Sequence, residues 1–123
     1  MLQITNHKQY NHGFDLEERT LKFAQHVKEY INKLPKTAAN IEYGKQLIRS
    51  SGSTGANYIE ANESLSKKDF IMRVKISKKE SKESRYWLYL TDPLESNKDG
   101  KDKLIKETDE LMKIFGSIIE NSK

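Results

Sequence analysis

Seven cations crowd one stretch of the chain: Lys67, Lys68, Lys75, Lys78, Lys79, Lys82 and Arg85. Placed on a helix at roughly 100° per residue they fall within an arc of roughly 120°. Few carboxylates interrupt that arc. Lysines meet phosphates as point charges, and a surface of this kind binds a polyanion mainly by releasing its counterions. The same row has a plainer meaning as a solvated face that keeps the protein soluble, which is what most charge runs amount to. The residues support both readings. Tyr86 and Tyr89 flank the row; tyrosines there can stack on bases, or simply pack at a helix end.

Other chemistries have less behind them. Glu60, Glu63, Glu80 and Glu83 invite comparison with carboxylate-bridged di-iron bundles, but those require Glu-x-x-His pairs on inward faces. None is present, and the histidines are His7, His12 and His26. No metal and no cofactor is expected, and the glutamates should instead pair with Arg49, Arg73 or Arg85. The chain contains no phosphate-binding loop, dinucleotide fingerprint, or nucleophile and base at recognisable spacing. Gly52 and Gly55 stand in helical phase with no strand before them. The expectation is a protein without catalytic residues.

The elements that must carry the cations follow from spacing and punctuation. The chain has 123 residues and no cysteine, enough for one domain with its own core and without disulfides or thiolate zinc sites. Residues 1–14 are polar and aperiodic and read as an arm, and residues 15–123 read as the domain. Asp15, with Glu18 after it, predicts the start of a first helix through a capping box. Its apolar stripe is Leu16, Thr20, Phe23, Ala24, Val27, Ile31 and Leu34, and Pro35 ends it.

Thr37 predicts the cap of a second helix whose shared face holds Ile41, Gly44, Ile48, Ser51, Gly55, Ile59 and Asn62. The run from Ser50 to Gly55 is a poor helix former, each glycine costing about 1 kcal/mol against alanine. Because the period continues in phase across it, one unbroken helix is expected. Ser66 should cap a third helix that Pro93 stops near Leu90 or Thr91. Its core face is Phe70, Val74, Ser77, Ser81, Ser84 and Leu88. The small residues of these two helices should let them form the tightest pair, with serine hydroxyls bonded to carbonyls one turn back. After a polar turn, LESNKDGKD, a last helix carries Leu104, Thr108, Leu111, Met112, Phe115, Ile118 and Ile119. Short connections between long helices predict an all-α, up-and-down antiparallel four-helix bundle.

A third arc of the basic helix carries Met72, Ile76 and Trp87, apolar groups outside the predicted core, and such groups commonly mark protein contacts. Self-association is the expectation, with these three at the interface. The net charge of +4 is small, so its concentration on one face matters more than its sum. No segment has the roughly 20 apolar residues of a membrane span, and the N-terminal stretch lacks the apolar run of a signal peptide. A cytoplasmic protein with no membrane partner is expected.

The stretch RSSGSTGANYIEA from Arg49 to Ala61, followed by KKDFIMRVKISKKESKESRYWL from Lys67 to Leu88, resembles the bacterial 23S rRNA intervening sequence protein family. Gly55, Ala56, Asn57 and Glu60 match that family's small-residue segment. Phe70, Glu80, Glu83, Tyr86, Trp87 and Leu88 match its second block. Ser77 and Ser81 depart from its usual alanine, and Thr54 from its usual aliphatic residue. The resemblance, which extends to the accessory variability determinant of diversity-generating retroelements, implies four-helix protomers assembling into homopentamers. It also implies binding of RNA or DNA and association with a reverse transcriptase or with rRNA insertions, without enzymatic activity. The rival reading is a structural or protein-interaction module that binds no nucleic acid.

Overall fold

The computed structural model describes residues 7–123, with side chains from Leu16 onward. Four long helices account for most of it: α1 (His7–Asn32), α2 (Ala38–Asn62), α3 (Lys67–Leu90) and α4 (Lys98–Asn121). A short 3₁₀ turn, Glu95–Asn97, precedes α4. Each helix packs on its chain neighbour and α1 also touches α4, whereas among the described residues the backbones of the diagonal pairs stay apart. This is the up-and-down bundle that the spacing predicts.

Caps and stops explain most of the boundaries. The Thr37 side chain accepts from the Asn40 amide at 3.1 Å, and that of Ser66 from the Asp69 amide at 3.1 Å. Each satisfies a first-turn donor that would otherwise go unpaired. Two boundaries differ from expectation. Helix α1 is already running at His7, so Asp15 sits inside it and is not its cap. Apart from Gly13, at a cost of about 1 kcal/mol, nothing between His7 and Asp15 breaks a helix. Residues 1–6 of the expected arm, and the Asp15 side chain, lie outside the described residues. Likewise α4 begins at Lys98, within the expected polar turn. Asp99 favours its first turn through the helix dipole, and Lys101 Nζ ties that turn back to the Thr91 carbonyl at 2.9 Å.

The core is one continuous cluster in which Phe23, Val27, Leu47, Val74, Leu88, Leu111 and Phe115 are nearly inaccessible. As predicted, α2 and α3 are the most extensively packed pair. Their seam is polar yet satisfied. Ser50 Oγ and Ser84 Oγ share a hydrogen bond of 2.8 Å, and Ser77 Oγ donates to the Thr54 carbonyl at 2.9 Å. Within the helices Thr54, Ser81 and Ser84 donate to carbonyls one turn back, each at 3.0 Å. Left unpaired, each buried hydroxyl would cost about 1–3 kcal/mol. The C-terminal end of α3 is anchored as well. Asn40 donates to the Asp92 carbonyl at 3.0 Å and accepts from its amide at 2.9 Å, and the Tyr30 and Thr91 hydroxyls lie 2.8 Å apart.

The face expected for α2 is partly wrong. Gly44, Ser51 and Gly55 are buried, but Ile41, Ile48 and Ile59 are each 46% exposed. Leu47, Thr54 and Tyr58 form the true core line, about 100° round the helix from the isoleucines. The expected stripe followed the edge of α2 that meets α1, and its leading side continues past that contact into solvent.

Tyr58 packs its ring against Phe115, centroids 5.8 Å apart. Burial, aided by the Glu17 carboxylate and opposed in part by Asn62, pushes its hydroxyl up to about 12. Because the folded value lies above the ordinary 10 of an unfolded tyrosine, its contribution is complete below pH ~10 and is lost as pH rises towards ~12, on the order of 2 kcal/mol in all. Melting temperature should therefore fall across that window, and Tyr58→Phe should flatten the fall. An equal decline in both proteins would assign it elsewhere.

Candidate nucleic-acid interface

Helix α3 positions the cations, and its neighbours decide which of them stay free. Arg85 leaves the set: Nη1 bonds Asp109 Oδ1 of α4 at 2.7 Å, which makes it a fastener between helices. Lys78 leans over α4, where its Nζ would lie 3.5 Å from a Cβ at Gly116. Lys67, Lys68, Lys75, Lys79 and Lys82 are exposed, and none has an ion-pair partner within 4.0 Å among the described residues. Lys67 and Lys68 also occupy the first turn of α3, where the helix dipole disfavours cations.

On the outermost line of α3, at alternating steps of four and three, stand Lys68, Met72, Lys75, Lys79, Lys82, Tyr86 and Tyr89, all exposed. At 1.5 Å per residue this row is about 31 Å long. Its flanks carry some negative charge. Glu120, at the end of α4, is held below the usual carboxylate range, first by its hydrogen bond to Lys123 and that residue's charge, then by the charges of Lys78 and Lys75. On the other side Arg49 of α2 ties down two carboxylates of α3, Glu83 at 2.8 Å and Glu80 at 3.4 Å. Two of the expected glutamate partners are thus confirmed through Arg49, whereas Arg73 bonds Asn57 at 3.1 Å. The one guanidinium offsets one of these two negative charges, which lessens the opposition of the α2 flank to the lysine row.

The three residues expected at a subunit interface are arranged unequally. Met72 is 47% exposed, whereas Ile76 and Trp87 are half-buried. The Trp87 ring stacks on Tyr43 of α2 at 5.9 Å and meets Tyr86 edge-on at 5.0 Å. Its Nε1–H is buried and has no acceptor among the described residues. Further exposed apolar side chains form the Ile41, Ile48 and Ile59 row on α2, and Leu21 of α1 is 57% exposed.

One feature has no signature in the sequence. Helices α1 and α4 touch at few positions and leave a cleft of about 710 Å³ over Phe23, Tyr30 and Leu104. Arg19 crosses it to Glu107 with two hydrogen bonds of 2.8 and 2.9 Å, a pairing that raises the guanidinium pKa. His26, Lys33 and Lys103 line its rim. No pattern in either helix announces the gap, because it depends on how far two helices distant in sequence diverge. Among the described residues no group of three or more His, Asp or Glu side chains could hold a metal ion. None of those helices is long and apolar enough to cross a membrane.

Comparison with known proteins gives two matches of consequence. The family model described as 23S rRNA-intervening sequence protein matches residues 14–117. A crystal structure of a protein of unknown function from the S23 ribosomal protein family of Bacteroides thetaiotaomicron is similar with a TM-score of 0.72 and 30% identity, covering 84% of this chain and 96% of that one. No curated protein matches.

Proposed function

This chain belongs to the family of 23S rRNA-intervening sequence proteins, and we propose that it is a non-enzymatic, oligomeric scaffold that binds RNA or DNA with little sequence preference. The observation that supports this reading is the unpaired row of Lys68, Lys75, Lys79 and Lys82 along the outside of α3. Ammonium groups on a helix face carry no base code, so affinity should come from phosphates. The apolar groups at Met72, Ile76 and Trp87, with the α2 isoleucine row, supply surface for self-association. A homopentamer would repeat the lysine row around a ring, and repeated weak sites raise avidity where one strand reaches several. In the cytoplasm such a ring is suited to serve a reverse transcriptase or an rRNA insertion as an accessory factor.

Sedimentation should give a mass several times the 14.3 kDa protomer, and affinity for labelled RNA should fall steeply with salt, log K declining in proportion to log salt. A second reading has its own observation. The exposed Ile41, Ile48 and Ile59 would equally suit a protein-interaction module whose lysines only solubilise it. A salt-independent affinity, or none at low salt, would decide for that module.

A further inference from the structure

The outer row of α3 does not end in charge. Its last two places are held by Tyr86 and Tyr89, which are 58% and 57% exposed, and neither hydroxyl has a hydrogen-bond partner among the described residues. Neither ring belongs to the core cluster. Tyr86 is nevertheless held in place: it rests edge-on against Trp87, which stacks in turn on Tyr43 of α2. Such an arrangement fixes an aromatic ring while leaving most of it open to solvent, in line with four unpaired lysines.

Duplex and single strand would use this row differently. A duplex offers phosphates, but its bases are already stacked on one another, so exposed rings add little to its binding. A single strand offers phosphates together with unstacked bases, and every base has a π-face that an aromatic side chain can take. Resting on the nucleic-acid reading above, we propose that the α3 row takes single-stranded nucleic acid, with phosphates along Lys75, Lys79 and Lys82 and unpaired bases stacked on Tyr86 and Tyr89. Stacking of this kind tolerates any base, so the row selects strandedness without selecting sequence.

Fluorescence anisotropy at low salt, with a short mixed-sequence single-stranded RNA and the duplex of the same sequence, tests this. The full chain should bind the single strand more tightly than the duplex. Replacing both tyrosines by leucine should weaken the single-strand complex roughly tenfold or more, with duplex affinity and the salt slope unchanged. Phenylalanine at both positions should restore it. Since Tyr86 leans on Trp87, Tyr89→Leu alone, which disturbs no ring contact, serves as the second variant and should show the same selective loss to a smaller extent. Equal affinity of the wild type for the two probes, with the leucine variants unaffected, would overturn the stacking proposal and leave phosphate binding intact. Binding to neither probe would overturn the nucleic-acid reading itself, and this proposal with it.

Discussion

Reversing Lys75, Lys79 and Lys82 to glutamate together should abolish binding of RNA and DNA at low salt, while helicity and mass stay those of the wild type. All three side chains are exposed and make no ion pair or hydrogen bond among the described residues, so the fold loses little beyond the attraction of Lys75 for Glu120. The new carboxylates create like-charge neighbours along α3, Glu83 among them, which costs a few tenths of a kcal/mol per pair. Against that small loss, the variant turns the net charge from +4 to a negative value and places the new anions along the phosphate path. A control separates local from overall charge. Reversing Lys28, Lys36 and Lys45, exposed on α1, the first connection and α2, changes the net charge equally and should weaken binding only modestly. Titration of both variants against labelled RNA decides the matter: undiminished binding by the α3 variant would make the row a solubility feature, and the interaction-module reading would then stand.

Much of α3 is legible in the sequence, for a physical reason. Its N-cap at Ser66, its stop before Pro93 and its core line from Val74 to Leu88 depend on local bonding and on a period of 3.6, both of which a single sequence carries. What the sequence could not supply was the neighbour. Arg85 has the same type and phase as the free lysines, and only the register of α4 brings Asp109 to it. The α2 isoleucines share a period with Gly44 and Gly55, and only the position of α1 shows that its contact ends before them. The cleft between α1 and α4 is likewise a matter of how two remote helices diverge. Even the departures from family habit acquire a reason in three dimensions, since Ser77 donates across the seam to the Thr54 carbonyl and Ser81 to that of Ser77.

Gly52 and Gly55, three residues apart in one unbroken helix, should respond to substitution with opposite signs. At Gly52 an added Cβ meets no atom within 4 Å. Gly52→Ala then removes a flexible residue from an exposed helix interior, and should stabilise the protein by up to about 1 kcal/mol. At Gly55 the same atom would lie 2.8 Å from Thr20 Oγ1 and 3.1 Å from Thr20 Cβ. Thr20 cannot easily move aside: it is buried, branched at Cβ, and its hydroxyl donates to the Glu17 carbonyl at 2.9 Å. A larger side chain must therefore push α1 and α2 apart along a packed core, and Gly55→Leu should cost about 3 kcal/mol, lowering the melting temperature by roughly 12 °C for a domain of this size. The clash also predicts coupling. Gly55→Ala should cost less in a Thr20→Ala background than alone, since removing Oγ1 relieves the closest contact, and a double-mutant cycle reads that difference directly. If Gly55→Leu melts with the wild type, α1 is not seated on α2 at this glycine, and the close approach that lets α2 run unbroken through its small residues is not what holds the two helices together.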